Sequence, residues 1–222
     1  MENRAFSVPI KSNPGIKVNV IPGHFSTKHY HSTHYVDLCN LKYNSTVANN
    51  VAKELALPYM ANKLVDTIVC IEGTEIIGAY LAKELTSEGA LVLNAGRDIN
   101  VLTPKVNIHR KLVFRTNTQE LIYNKNIILL VSMMARGVLV NSALECLAYY
   151  GGKVIGISTL FNALPENHEY GNKTFFRNIE VHSLFTDKDI PGYKISSPSE
   201  CEACKEGRGL DAIILDDGYI RI

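Results

Sequence analysis

Ile127-Ile128-Leu129-Leu130-Val131 is an unbroken apolar run, followed by Ser132-Met133-Met134-Ala135-Arg136-Gly137 and by the stretch from Val138 to Tyr150. Five apolar residues between Asn126 and Ser132 read as a strand covered on both faces, as in a parallel sheet. Leu139, Ala143 and Leu147 then share one face of a helix, and Gly151-Gly152 stops it. The next strand is Val154–Leu160. Strand, turn, helix, glycine, strand is the grammar of a βαβ unit.

The same grammar stands upstream. Thr67-Ile68-Val69-Cys70-Ile71 reads as a buried strand, Glu72-Gly73-Thr74-Glu75 as its turn, and Ile76 to Leu85 as a helix. Gly89 is available as the stop and Ala90–Leu93 as the following strand. Two such units predict an α/β fold with a mainly parallel twisted sheet flanked by helices. In such sheets ligands bind beyond the carboxyl ends of the strands, which singles out the turns Ile71–Glu75 and Ser132–Val138. Before the first unit, a helix is expected from Ser45 through Val47, Val51 and Leu55, capped by Ser45 or Thr46 and ended by Pro58. The first 43 residues read as short strands and turns, with Val18–Ile21 closed by Pro22-Gly23.

The totals agree with one domain spanning residues 1–222. With 23 basic and 22 acidic residues, the chain is not expected to bind nucleic acid through bulk charge. Five cysteines, an odd number thinly spread, do not form a disulfide framework and point to a reducing, cytoplasmic setting. The N-terminus shows no signal peptide, and the apolar runs are too short to span a membrane.

Several stretches, in order, resemble the orotate phosphoribosyltransferases, within the type I phosphoribosyltransferase family. Gly23-His24-Phe25 and the segment from His31 to Asp37 are similar to that family's entry segment, and Gly151 to Ile157 to the strand after its central helix. Val181-His182-Ser183-Leu184, Asp189-Ile190-Pro191-Gly192-Tyr193 and the segment from Cys201 to Gly207 resemble its close. The resemblance implies a core over about residues 44–190 and a small hood from residues 1–43 and 191–222. It implies transfer of ribose 5-phosphate from phosphoribosyl pyrophosphate (PRPP) to orotate or another nucleobase, as in pyrimidine biosynthesis, with Mg²⁺ as cofactor and a homodimer as the working form. The alternative on the same fold is a non-catalytic protein that binds a nucleoside monophosphate or phosphate.

Site residues follow from the two turns and one basic segment. The family's signature places two acidic residues and a Thr/Gly-rich turn after the central strand. Here that place reads Ser132, Met133, Met134, Ala135, Arg136, Gly137 and Val138, without a carboxylate or a threonine. Ser132, Ala135, Arg136, Gly137 and Val138 are the candidate phosphate cradle, because backbone N–H groups at a helix start and a guanidinium suffice to hold an anion; Arg136 reads equally as a solvated turn residue. Glu72, Gly73, Thr74 and Glu75 are the candidate pyrophosphate turn, while the two glutamates also suit a helix N-terminus. Between Asp98 and Glu120 there is no acidic residue, and Lys105, His109 and Arg110 are the candidate catalytic cations, with a solvated hairpin as the plain reading. No metal ligands are assigned: the spacings of His24, His29, His31 and His34 suit no common zinc pattern, and Cys201 and Cys204 form a single pair to which His182 is the conceivable addition.

Overall fold

A computed structural model describes residues 2–87, 93–109, 111–164, 168–170, 173–215 and 218–222. It opens with strands β1 (Phe6–Pro9), β2 (Lys17–Ser26) and β3 (His31–Asp37), paired antiparallel. Helices α1 (Cys39–Tyr43) and α2 (Ser45–Met60) lead into β4 (Thr67–Cys70), α3 (Glu75–Thr86) and β5 (Asn100–Leu102). A two-stranded hairpin, β6 (Lys105–Val106) with β7 (Leu112–Val113), and the short α4 (Thr116–Gln119) precede β8 (Asn126–Met134), α5 (Val138–Tyr149) and β9 (Lys153–Asn162). Strands β10 (His168–Tyr170), β11 (Lys173–Phe176), β12 (Ile179–Thr186) and β13 (Ile195–Ser196) follow, then α6 (Glu202–Lys205), β14 (Ala212–Leu215) and β15 (Gly218–Arg221).

The core sheet has the order β10-β11-β12-β9-β8-β4-β5. Its strands β12, β9, β8, β4 and β5 run parallel, and β11 and β10 add an antiparallel edge. Ile128 and Leu130 of β8 face α2 and α3, packing in one cluster with Ala52, Leu55, Ile77 and Leu81. Ile127, Leu129 and Val131 face the other way, into a second cluster with Val140, Ala143 and Leu147 of α5. A second sheet, β13-β3-β2-β14-β15 with β1 also on β2, gathers both ends of the chain into a hood. All five cysteines are free thiols. Among the described residues no helix is long and apolar enough to cross a membrane.

Element limits differ from the sequence expectations in informative ways. The strand expected to end at Val131 runs on to Met134, pairing Met133 with Phe161 and Met134 with Asn162. Ser132, Met133 and Met134 carry no turn chemistry that would break the ladder, and Met134 is buried in the α5 cluster. Strand β2 likewise passes through Pro22 and Gly23, and its register against β3 shifts between Pro22 and Phe25, an irregularity that accommodates a residue with no N–H. The cap of α2 is Asn44, whose side chain accepts from the N–H groups of Thr46 and Val47. Pro58 sits inside that helix rather than ending it, because the last turn is anchored by fully buried Tyr59, whose hydroxyl lies 2.9 Å from Ser158 Oγ. Residues 39–43, read as part of a strand-and-turn region, form the short helix α1. Gly89 and residues 90–92 of the expected strand lie outside the described residues; Leu93 is in a turn, its N–H bonded to the Met60 carbonyl.

Two expected outcomes follow. A Cβ on Gly156 would stand 2.6 Å from the ring of the pinned Tyr59, so Gly156→Ala should lower unfolding free energy by about 1–3 kcal/mol in urea titrations. His182 packs edge-on against the same ring at 5.1 Å, and burial pulls its pKa from 6.5 down to about 4. As pH falls through that window the unfolded chain takes up a proton that the native ring refuses, so stability present above pH 6.5 is lost towards pH 4. Replacement by Gln should make this acid limb shallower in denaturation curves collected across the range.

Candidate functional site

The turn after β4 has an unusual backbone. Glu72 and Gly73 both have positive φ, 61° and 74°. A glutamate in the left-handed region costs roughly 1–2 kcal/mol, and the surroundings hold it there. Lys42 Nζ donates to the Glu72 carbonyl at 3.1 Å. Ser132 Oγ donates to Glu72 Oε2 at 2.7 Å, and the Met133 N–H approaches the same oxygen at 3.4 Å. The strained turn therefore carries a carboxylate to the end of β8.

These groups line a cavity of about 580 Å³ between the strand ends and the hood. Tyr30, Tyr35, Lys42, Glu72, Ser132 and Met133 line it together with Ile213, Ile214 and Leu215 of β14. Lys42 is only 3% exposed, a depth at which an ammonium needs polar partners, and the Glu72 carbonyl is one. Burial, reinforced by the nearby Glu72 carboxylate, pushes the Tyr30 phenol up to about 12, so it remains an O–H donor at neutral pH. That hydroxyl points at Met133 Sδ, 3.9 Å away.

The other expected residues are placed differently. Thr74 is fully buried and directs its hydroxyl at the carbonyls of Ile71 and Leu130, at 3.0 and 3.1 Å. Glu75 accepts from the Thr103 hydroxyl at 3.0 Å. Of the turn Glu72–Glu75, Glu72 lines the cavity and the other three do not. Beyond β8, Gly137 has φ 70° and caps α5 with no side-chain hydrogen bond. A Cβ at Gly137 would meet Phe176 at 3.3 Å and Leu164 at 3.4 Å, so one side of this turn is closed by packed side chains. Ala135 is buried, whereas Arg136 and Val138 are exposed on the other side. Ser132 lines the cavity; Ala135, Arg136, Gly137 and Val138 do not. Arg136 is close enough to Tyr30 for its charge to oppose the rise in that phenol's pKa. Lys105 and His109 stand exposed on the β6–β7 hairpin, away from the cavity lining, where the Asn107 side chain accepts from the His109 and Lys111 N–H groups. Arg110 lies outside the described residues.

Sequence reasoning missed Lys42, Tyr30 and Tyr35 as lining groups. Lys42 is buried only because α1 packs beside a turn 30 residues further on, and no local pattern signals that. Glu72 is the one carboxylate among the described lining residues. Magnesium ordinarily takes one or two carboxylates together with substrate phosphate oxygens and water, so the residues fit an ion arriving with a polyphosphate, with Glu72 as its protein ligand. In the hood, His24, His31, Cys201 and Cys204 bring four ligand-type atoms within 4.8 Å of one another. His182 is not among them; it stands on β12 beside Tyr59.

No family model matches the chain, and no curated protein matches it in sequence. Solved structures do. The UMP synthase of Leishmania donovani shares 18% identity and a TM-score of 0.51 over 75% of this chain and 33% of that one. The orotate phosphoribosyltransferase of Mycobacterium tuberculosis H37Rv shares 14% identity, covering 78% of this chain and 91% of that one with a TM-score of 0.49. The adenine phosphoribosyltransferase of Thermoanaerobacter pseudethanolicus shares 14%, covering 83% and 96%, with a TM-score of 0.48. The likeness is one of fold: over 75% of its length the chain shares with the UMP synthase a mainly parallel sheet flanked by helices.

A Cβ on Gly73 would combine a left-handed backbone with a 2.8 Å approach to the Tyr43 hydroxyl. Gly73→Ala should cost about 1–2 kcal/mol in chemical denaturation and disturb the neighbouring carboxylate.

Proposed function

We propose that the cavity under the hood binds a nucleoside monophosphate or a closely similar phosphoribosyl compound, and that the chain acts chiefly as a binding protein. The observation that carries this reading is the joining of Lys42, Glu72 and Ser132 at one end of a cavity of about 580 Å³ with aromatic walls. That volume lies within the range of pockets that enclose a small organic ligand. Tyr30 and Tyr35 offer surface to a base, and Glu72 with Ser132 offers hydrogen-bonding partners to ribose hydroxyls. Arg136 lies outside the lining, but its charge reaches Tyr30, which does line the cavity, and it offers a cation to a phosphate that extends past that ring.

Turnover is the second reading, favoured by the Glu72 carboxylate at the end of β8. Phosphoribosyl transfer from PRPP to orotate or another nucleobase passes through an oxocarbenium-like state that carboxylates stabilise. Ser132 and Met133 stand where the resemblance calls for two of them, and a thioether cannot accept usefully from a ribose hydroxyl. Losing one well-placed electrostatic partner typically costs about 3–4 kcal/mol of transition-state stabilisation. When present, Mg²⁺ supplies charge neutralisation to a departing pyrophosphate; Glu72 is the residue that would hold it. Lys105, His109 and Arg110 enter this reading through a second copy of the chain, because Lys105 and His109 do not line the cavity of their own.

Thermal unfolding with UMP, AMP, and PRPP plus Mg²⁺ separates the readings. A monophosphate at 100 times its dissociation constant should add about 2.7 kcal/mol, and Lys42→Met or Glu72→Gln should remove most of that gain. Pyrophosphate release that depends on an added base establishes the second reading instead. Failure of all these ligands to raise the Tm overturns both. Arg136→Ala should weaken monophosphate binding at least several-fold in calorimetry; unchanged affinity removes Arg136 from the site.

A further inference from the structure

We infer that His24, His31, Cys201 and Cys204 form a structural zinc site that fastens the C-terminal segment to the N-terminal hairpin. His24 lies at the register shift of β2 and His31 at the start of β3. Cys201 precedes α6 and Cys204 lies within it. His24 Nε2 is 3.1 Å from His31 Nδ1, 3.4 Å from Cys201 Sγ and 3.5 Å from Cys204 Sγ, while Cys204 Sγ is 3.3 Å from His31 Nδ1. A tetrahedral zinc with Zn–N near 2.05 Å and Zn–S near 2.3 Å separates two nitrogens by about 3.4 Å and a sulfur from a nitrogen by about 3.6 Å. The observed separations are within a few tenths of an ångström of those values.

Hydrogen bonding alone leaves this cluster with too many acceptors and donors crowded around one nitrogen. His24 Nδ1 lies 3.0 and 3.1 Å from the carbonyls of Arg208 and Gly209, which can only accept, so Nδ1 carries the proton. Nε2 is then left with one in-plane lone pair, yet three donor-type atoms crowd it within 3.5 Å. If Cys201 donates to His24 Nε2 and Cys204 to His31 Nδ1, the two ring lone pairs face each other at 3.1 Å and repel. A cation at the centre, with both thiols deprotonated, satisfies every group at once.

The surroundings of His24 are those of a metal ligand. Its second ring nitrogen is held by backbone carbonyls, the outer-shell bond that fixes tautomer and ring orientation at zinc sites. Its main-chain N–H donates to Asp211 Oδ2 at 2.8 Å, and its carbonyl accepts from the Asp211 N–H at 2.8 Å. Gly207, at φ 71°, reverses the chain after α6 and returns those carbonyls to the ring. Two nitrogens and two sulfurs complete a four-coordinate set with no position left for substrate, which marks the site as structural rather than catalytic. Borderline-soft ligands of this kind favour zinc over magnesium or calcium.

The test is metal analysis of the full chain, purified without a histidine tag from zinc-supplemented cells. About one zinc per chain is expected. Replacing zinc with Co²⁺ should give the intense ligand-field absorption of a tetrahedral centre together with thiolate-to-cobalt charge transfer. Cys204→Ser, at the exposed ligand, should lower zinc retention at least tenfold against a competing chelator, and chelation should lower the Tm of the parent protein. A folded parent chain that holds less than about a tenth of an equivalent after zinc addition, and gives no tetrahedral cobalt spectrum, overturns the inference. So does a Cys201–Cys204 disulfide in protein isolated under reducing conditions. Both overturning results are read on the unaltered sequence, so a variant that fails to fold does not blunt the test.

Discussion

Burial of β8 on both faces is the constraint from which the rest of the molecule follows. Ile127, Ile128, Leu129, Leu130 and Val131 have no accessible surface, and successive side chains feed opposite cores. Each face therefore requires its own helical cover, α2 with α3 on one side and α5 on the other. Parallel neighbours β4 and β9 keep both covers in place and bring the turns that follow β4 and β8 to the same edge of the sheet. The meeting of Glu72 with Ser132 is a consequence of that arrangement, since strands in parallel register release their chains side by side.

Within that frame, the cavity joins groups that differ sharply in what burial costs them. The Lys42 ammonium loses its hydration here and recovers part of it from the Glu72 carbonyl, whereas the Glu72 side chain stays exposed while accepting from the Ser132 hydroxyl. The left-handed glutamate adds backbone strain at the same place. Strained backbone and buried charge together are characteristic of sites whose geometry is kept for a ligand rather than for stability. The turn before α5 contrasts with this: one side is closed by Phe176 and Leu164, and its charge faces outwards.

How far the sequence could be read depended on whether the signal was local. The two βαβ units were legible because a doubly buried strand and an amphipathic helix announce themselves within a dozen residues. The overrun of β8 to Met134 was not, because methionine suits a strand, a turn or a helix start equally and only pairing with Phe161 and Asn162 decides. Asn44 rather than Ser45 caps α2, a one-residue difference between residues of similar capping strength. Lys42 belongs to the site through a contact across 30 positions. The histidine–cysteine cluster unites positions about 180 apart in the chain, so its ligand spacing matches no compact zinc pattern, and the histidines read singly as members of an entry segment.

The insertion of β14 beside β2 carries a consequence for biosynthesis. Ala212 and Ile213 pair in parallel with Phe25 and Ser26, so the first hairpin emerges from the ribosome long before the strand that completes its sheet. Throughout that interval one edge of β2 presents unpaired amides and carbonyls next to Phe25, which is fully covered in the finished molecule. A nascent chain in this condition is open to edge-to-edge association with its neighbours on the same polysome. The bulge at Pro22 and Gly23 interrupts the regular edge at that very stretch, leaving a poor template for a stray strand until residues 212 and 213 arrive.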